Sequence, residues 1–560
     1  MNRRDGAVVV ALVAVLATLA GAVVAPALGP APSPSAAPTA PPEVGHVQGV
    51  VGRPSSITPL TARTQVDRDL VALLFRGLVR LGPGNTVLPD LADRWTVEEK
   101  GARWTFHLRS DAVWHDGAPV TSADVVYTVR VLHDPDYAGA LAATWAQVQA
   151  TALDERTVRF DLGDPVGGFL QAATLPLMPA HILDGTPVAA LADDPFATAP
   201  IGNGAFALVE LTATEAVLEP VLPSVEAGGP LEDPTAGEPS VRTPRLARLV
   251  LRFYDTPAAL GQALAAGEVG SAADLPPAEA VALAAATPGA SLVRYPSTTL
   301  TALAFNLRTA RGPFADQRTR RALLAVLNRT DMITDLLGGA GTRAATPIPP
   351  SSWAFDAAAA PEISYDRSAA ITLLRDVGWK RPAGAWIPPG ATKPLAVALL
   401  APEQAASPIV YATARRVAAA WTALGLATTV EALPPREFVD RLRAGEYMAA
   451  VVDVNMGLDP DPYPILASTQ ARTGGANVTG IQDPALDKAL VAARAPGTVT
   501  TRLKAYKALQ ALLGALQPMP TLFFRDSVMV VGPDLSGPVS RPIADPSERF
   551  WDVIRWRSGR

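Results

Sequence analysis

One stretch, residues 89–128, constrains the fold of this chain more than any other. It reads PDLADRWTVEEKGARWTFHLRSDAVWHDGAPVTSADVVYT. From Trp104 to Leu108 apolar and polar residues alternate, a period of two that predicts a strand with one buried face. An Asp-Gly turn follows, and Thr121 with Asp124 has the capping-box pattern of a helix start. The stretch therefore predicts a hairpin, a turn and a capped helix, in that order.

Length and composition place the chain among large globular proteins. With 560 residues it is too long for one hydrophobic core, so two or three packed lobes are expected. A net charge of −5 leaves no basic surface of the kind that nucleic-acid-binding proteins carry, and no nucleic acid partner is expected. The chain has no cysteine, which excludes disulfides, thiolate metal sites and cysteine nucleophiles.

The first residues have the pattern of a targeting signal. Arg3 and Arg4 precede an uncharged apolar run, 7–24. We therefore expect 1–28 to be a signal peptide or, if it is not cleaved, a membrane anchor. Residues 29–45 are rich in Pro, Ala and Ser and should form an extended linker. The body is expected to lie outside the cytoplasm, secreted or tethered by the N-terminal helix, and without cysteine it should not be a lipoprotein.

Four elements of the 89–128 stretch together resemble the bacterial extracellular solute-binding proteins of peptide-type ABC importers. These elements are the opening PDLADRW, the strand WTFHLR, the turn WHDG and the helix start ADVVYT. Similar matches to the same family lie at 199–208, 301–331 and 366–380. The resemblance extends over roughly 47–556, nearly the whole body of the chain.

The resemblance implies a fold and a division of the chain. The expected fold is α/β and periplasmic-binding-protein-like (type II, cluster C), with two lobes that close like a Venus flytrap and an extra small subdomain on the first lobe. The chain alternates strand and helix patterns, as α/β lobes require. The implied ranges are 46–79, 196–296 and 518–560 for lobe I, 80–195 for the subdomain and 297–517 for lobe II.

An acidic loop after a valine-rich strand is the first candidate site. It reads DVNMGLDPDPY from Asp453 to Tyr463, and ligands of open α/β folds bind beyond the carboxyl ends of strands. The resemblance implies that one aspartate here receives the amino terminus of a bound peptide. Asp459 is the first choice, followed by Asp461 and Asp453. The alternative is an Asp-Pro turn on the surface.

Four more residues are candidates for lining the ligand cleft, each with a structural alternative. Asn477 either lines the cleft or secures its own loop. Trp353, Trp421 and Tyr463 either wall the ligand pocket or fill hydrophobic cores, which is the commoner use of aromatic residues.

The resemblance implies a transport function and its partners. We expect an extracytoplasmic substrate-binding protein, monomeric and without cofactor or metal, that delivers short peptides to an ABC permease and ATPase complex. Two alternatives stay open: a non-peptide ligand such as a nickel chelate, haem, an opine or an oligosaccharide, and a sensor or adhesion module. The five histidines form no H-E-x-x-H pattern and no G-x-S-x-G elbow occurs, so no enzymatic activity is expected.

Overall fold

The computed structural model describes residues 45–559, except 138, 140, 222–243, 310–311 and 473–474. The predicted signal or anchor segment and all but the last residue of the predicted linker lie outside this part of the chain. Within it, no helix has both the length and the apolar character needed to cross a membrane.

The strands are numbered along the chain. They are β1 (Gly45–Val51), β2 (Val79–Leu81), β3 (Val87–Pro89), β4 (Ala92–Glu98), β5 (Arg103–Leu108), β6 (Val148–Asp154), β7 (Thr157–Leu162), β8 (Phe206–Leu211), β9 (Glu215–Pro220), β10 (Arg248–Tyr254), β11 (Ser271–Ala273), β12 (Ser291–Phe305), β13 (Gly341–Arg343), β14 (Ala396–Pro402), β15 (Ala427–Leu433), β16 (Ala449–Asn455), β17 (Thr521–Val531), β18 (Leu535–Ser536) and β19 (Arg557–Ser558).

The helices are numbered in the same way. They are α1 (Gln65–Leu74), α2 (Ser122–His133), α3 (Leu141–Trp145), α4 (Phe169–Ala172), α5 (Ala180–Leu183), α6 (Pro257–Ala265), α7 (Pro277–Ala286), α8 (Gln317–Ala325), α9 (Arg329–Leu337), α10 (Arg367–Asp376), α11 (Pro408–Leu424), α12 (Pro435–Ala444), α13 (Tyr463–Leu466), α14 (Pro484–Arg494) and α15 (Val499–Leu516). Short 3₁₀ turns join them, the longest of which is Pro546–Arg555.

A large mixed sheet of 11 strands organises the fold, in the order β15-β14-β16-β12-β17-β11-β1-β10-β9-β8, with β13 on β17. We call the half with β1 and β8–β11 and its helices lobe I, and the half with β14–β16 and its helices lobe II. The long strands β12 and β17 pair antiparallel with each other and run through both halves. The predicted α/β fold of two lobes joined by crossing strands is therefore confirmed, whereas the predicted residue ranges stay a prediction.

A separate four-stranded antiparallel sheet, in the order β4-β5-β7-β6, forms the core of an added unit. We call this sheet with α2–α4 the subdomain. Its hairpin β4–β5 and the following helix α2 are the elements that the sequence predicts for 89–128. The buried faces of β5 and β7 supply part of an aromatic cluster. Its members are Trp104, Phe106, Trp145, Phe160 and Phe169.

Asp124 explains why the helix start of the motif has this sequence. Its Oδ2 accepts from the Thr121 backbone N–H at 2.8 Å, which completes the capping box of α2. Its Oδ1 accepts from the Ala180 backbone N–H at 2.8 Å, and the indole of Trp114 donates to Oδ2 at 3.4 Å. The buried Asp124 carboxylate thus connects the turn at Trp114, the start of α2 and the segment at Ala180.

Helix α1 is followed by a tightly packed connection to β2. It ends at Leu74 because Phe75 adopts extended backbone angles, and the chain then continues into β2. Gly77 lies in this connection, where a Cβ atom would come within 2.5 Å of the Thr174 carbonyl oxygen. Two backbone segments therefore approach closely where α1 has ended, and only glycine fits at position 77 without a shift.

Candidate functional site

The parallel strands of each lobe define one edge at which ligands of α/β proteins bind. In lobe I, β1 runs parallel to β10 and β11, and in lobe II, β14 runs parallel to β15 and β16. At the end of β16, the Asn455 amide donates to the Ala544 carbonyl of the carboxy-terminal segment at 2.7 Å. The last residues of the parallel strands are Val51, Tyr254 and Ala273 in lobe I and Pro402, Leu433 and Asn455 in lobe II.

A cavity of about 1260 Å³ lies on the side of lobe I that faces the subdomain. Its walls come from α1, β2 and β3, from α3 and the chain after α4, and from the carboxy-terminal residues 541–555. This volume exceeds the roughly 300–1,000 Å³ of pockets for drug-sized molecules. The cavity is therefore large enough for a short peptide.

The cavity wall combines apolar side chains with many charged ones. Aromatic residues supply flat apolar surface, on which ligand side chains pack without a fixed pattern of hydrogen bonds. The aromatic lining residues are the partly exposed Trp551 and the buried Phe75, Trp145, Phe206 and Phe550. The charged lining residues are Arg68, Arg76, Arg80, Arg109, Arg541, Arg555, Asp90, Asp93, Asp545, Glu548 and Asp552.

Asp459, the first choice for the ligand's amine, is already paired within the protein. The Nη2 of Arg502 donates to both of its carboxylate oxygens, at 2.8 and 3.0 Å. The Arg502 guanidinium also lies over the Trp353 ring, with its central carbon 4.8 Å from the centre of that ring. Burial raises the pKa of Asp459, an effect that the charge of Arg502 opposes. The carboxylate therefore neutralises Arg502, and a ligand amine would have to compete with this internal cation.

Asp461 also faces an arginine. Its Oδ2 lies 3.2 Å from the Nε of Arg494, and its Oδ1 accepts from the Tyr463 backbone N–H at 3.0 Å. The Arg494 guanidinium covers the Tyr463 ring at 4.3 Å. Burial raises the pKa of Asp461, with Arg494 opposing. Asp461 and Tyr463 thus form one structural unit with α14.

Asp453 lies apart from the other two aspartates, on β16. It forms an ion pair with Arg525 of β17 and accepts from the Thr301 hydroxyl of β12 at 2.7 Å. The structure therefore gives each of the three aspartates its own arginine, and none of the three lines the cavity in lobe I.

Asn477 and Trp421 take the structural alternatives that the sequence left open. The buried Asn477 amide donates to the Ala467 and Ile481 carbonyls at 3.0 and 3.1 Å and so secures its own loop. Trp421 is 0% exposed in the core of lobe II, and its indole donates to the Leu323 carbonyl at 3.0 Å. Trp421 is therefore part of the core in this structure, and its predicted role in walling the ligand pocket stays a prediction.

Asp274 is a buried carboxylate that sequence patterns did not indicate, and it does not line the cavity. It follows β11 directly, at the ligand-binding edge of lobe I, with a left-handed backbone (φ 63°). Its Oδ2 has no hydrogen-bond partner among the described residues and lies 4.0 Å from Arg549. Burial, together with the nearby Asp69, raises its pKa to about 7. A single aspartate in an alanine-rich stretch carries no signal, so only the fold reveals it.

No group of three His, Asp or Glu side chains in the part of the chain described could hold a metal ion. Two of the described histidines are tied to neighbouring groups: His46 contacts the Ser271 hydroxyl at 2.8 Å, and His115 contacts the Gly204 carbonyl at 3.1 Å. The residues that line the cavity offer hydrogen bonds, charge and apolar contact to a ligand.

Two α/β lobes that share crossing strands, with a large cavity between one lobe and the added subdomain, are the architecture of a protein that captures a ligand. The chain belongs to the bacterial extracellular solute-binding proteins, family 5, whose sequence profile ("family 5 Middle") matches residues 86–477. The periplasmic murein peptide-binding protein MppA of Escherichia coli is 26% identical over 532 residues, covering 89% of this chain and 90% of that protein.

Two solved structures illustrate the shared fold. The oligopeptide-binding protein AppA from Bacillus subtilis, in complex with a nonapeptide, superposes with a TM-score of 0.70 at 21% identity, over 93% of this chain and 100% of that one. NikZ from Campylobacter jejuni, in complex with Ni(L-His), superposes with a TM-score of 0.72 at 22% identity, over 92% of this chain and 100% of that one. At such identities the likeness establishes the fold.

Proposed function

We propose that the protein captures short peptides outside the cytoplasm and delivers them to the permease of an ABC importer. The observation that carries this proposal is the cavity of about 1260 Å³ between lobe I and the subdomain in a member of this family. The names of two relatives, a murein peptide-binding protein and an oligopeptide-binding protein, support peptides as the ligand class.

Binding and release would follow from the two shared strands. A peptide in the cavity would be held largely by main-chain hydrogen bonds, with its side chains in roomy pockets. The pairing of β12 with β17 shifts register between Pro296 and Leu300, where the strands pass from one lobe to the other. We propose that this irregular segment is the hinge about which lobe II closes.

The finer points of the function belong to the same proposal. We propose that the protein works as a monomer, without catalysis, and that the segment 1–28 exports it or holds it at the membrane. The predicted ranges for the lobes and the subdomain, 80–195 for the latter, are part of this proposal too.

Native mass spectrometry of the full chain, purified without denaturation, tests the function. A series of short peptides released from the protein and sequenced is the expected result. A single non-peptide mass would instead favour a chelate, haem, opine or sugar as the ligand. An empty protein that also retains no member of a random tetrapeptide library would contradict peptide capture.

A further inference from the structure

The carboxy-terminal segment pairs with the proposed hinge, the part of β12 between Pro296 and Leu300 that is out of register with β17. The Ile543 backbone N–H donates to the Pro296 carbonyl at 2.9 Å, and the Ile543 carbonyl accepts from the Thr298 backbone N–H at 3.0 Å. Ile543 and Thr298 are both buried, so these bonds are shielded from water. The hinge and the carboxy-terminal segment therefore form one hydrogen-bonded unit.

The same segment continues directly into the cavity wall. Asp545 lines the cavity and caps the 3₁₀ helix Pro546–Arg555, where its Oδ1 accepts from the Ser547 backbone N–H at 2.9 Å. Most residues of this helix also line the cavity. A ligand that contacts the helix therefore acts on a segment that begins two residues after the hinge contact at Ile543.

Asn455, the last residue of β16, connects lobe II to the same place. Its Nδ2 donates to the Ala544 carbonyl at 2.7 Å. Its Oδ1 accepts from the Thr298 hydroxyl at 2.8 Å and from the Gly457 backbone N–H at 2.9 Å. One amide side chain thus contacts the hinge, the segment that leads into the cavity wall, and lobe II.

These contacts belong to an arrangement in which lobe II lies against the subdomain. The Gly167 backbone N–H of the subdomain donates to the Arg494 carbonyl of lobe II at 2.9 Å. A rotation of lobe II about the hinge would move Asn455 relative to Ala544, so the bond between them depends on the angle between the lobes. The Asn455 bonds therefore favour the closed arrangement.

We propose that Asn455 is a positioning residue that couples occupation of the cavity to closure of lobe II. Coupling between two sites requires an element with two arrangements that both sites bias. The hinge is this element, because a ligand acts on it through residues 543–545 and lobe II acts on it through Asn455. This inference rests on the proposed peptide capture and hinge, and it adds the residue that links them.

Single-molecule energy transfer between two dyes tests the inference in the full chain. The chain has no cysteine, so two introduced cysteines carry the dyes without competing sites. Val209→Cys in β8 of lobe I and Arg436→Cys in α12 of lobe II both replace exposed side chains. The transfer efficiency reports the ratio of closed to open molecules as an equimolar random tetrapeptide library is added. Native mass spectrometry of the same samples measures how much peptide is captured.

Asn455→Asp is the first variant. It keeps the size of the side chain and an acceptor oxygen, but it replaces the donor to Ala544 with a second oxygen. Asn455 is exposed, so the variant should fold. At saturating library we expect the closed-to-open ratio to fall about fivefold, as for the loss of one hydrogen bond, with the same amount of peptide captured per protein. The apparent affinity should fall by no more than the same factor, since binding and closure are linked.

Two further variants distinguish coupling from a general structural role. Thr298→Val removes the hydroxyl that donates to Asn455 and should lower the closed-to-open ratio in the same direction. Asn306→Asp is the matched control, because the Asn306 amide, just after β12, donates to the Gly445 and Tyr447 carbonyls of lobe II at 2.8 and 3.0 Å. This control should leave the closed-to-open ratio unchanged, even where it lowers the melting temperature.

The outcomes separate this inference from the proposed function. Captured peptide without any change in energy transfer would overturn the inference and leave peptide binding intact. The same closed-to-open ratio in the unsubstituted protein and in Asn455→Asp, or an equal loss in Asn306→Asp, would overturn it as well. If no peptide is captured at all, peptide capture itself fails, and the inference falls with it.

Discussion

Asp459 and Arg502 form a buried ion pair in lobe II, directly against the subdomain. Their side chains are 8% and 10% exposed. A Cβ atom on Gly168 would lie 2.5 Å from the Asp459 carboxylate, and one on Gly167 would lie 2.6 Å from the Arg502 guanidinium carbon. The Gly167 backbone N–H also donates to the Arg494 carbonyl at 2.9 Å. The Asp459–Arg502 ion pair therefore lies in the contact between lobe II and the subdomain.

Replacing Asp459 should therefore reduce stability more than ligand affinity. Asp459→Ala leaves a buried arginine without its carboxylate, and we expect the free energy of unfolding to fall by about 3 kcal/mol. Urea titration measures the loss. Asp440→Ala, which breaks an exposed pair with Arg436 at 4.0 Å, should cost less than about 1 kcal/mol. Unchanged stability with lost peptide binding would instead support Asp459 as the amine acceptor.

The close approach at Gly168 predicts a strong effect of one added methyl group. Gly168 has a negative φ (−88°), so Gly168→Ala meets no backbone strain, only the Asp459 carboxylate. We expect a loss of about 1–3 kcal/mol, as for overpacking of a dense contact. Gly261→Ala, in α6 with its nearest neighbour atom at 3.8 Å, should instead stabilise by about 0.5–1 kcal/mol. Thermal unfolding distinguishes the two, and equal effects would contradict the close contact.

Substitutions at two tryptophans should have different effects on the free energy of unfolding and on peptide affinity. Trp421→Phe removes a buried indole hydrogen bond in the core of lobe II, so stability should fall by about 1–3 kcal/mol while peptide affinity stays unchanged. Trp551→Phe changes a ring that lines the cavity beneath Arg541 and should weaken peptide binding, with a smaller effect on unfolding. Calorimetry of unfolding and of peptide binding measures both effects. Weaker peptide binding by Trp421→Phe together with unchanged binding by Trp551→Phe would instead support Trp421 as a ligand residue.

The buried His46 should make the protein less stable in acid. Burial lowers its pKa from 6.5 to about 4, so below pH 6.5 the unfolded chain binds a proton that the folded protein does not. The contribution is complete above pH 6.5 and is lost as pH falls toward 4, by about 3 kcal/mol in all. Urea titrations across this window measure the slope. His46→Gln should flatten it, and an unchanged slope would assign the effect to other groups.

The sequence predicted the fold well where the signals are local. The hairpin and the capped helix of 89–128 depend on neighbours within a few residues, and Asp124 satisfies most of its contacts there. The role of Asp459 could not be predicted in the same way, because Arg502 belongs to a later helix whose sequence looks like an ordinary amphipathic one. The cavity lining could not be predicted for the same reason, since its residues come together only in the folded protein.

Because residues 541–555 line the cavity, the cavity is complete only after this carboxy-terminal segment has been synthesised and has folded. Arg541 and Arg555 meet Arg76 and Arg80 only when the carboxy-terminal segment has packed against α1. A chain that ends before residue 541 lacks this part of the cavity wall. On the proposed function, we therefore expect a truncated product not to capture ligand and not to compete with the finished protein for it.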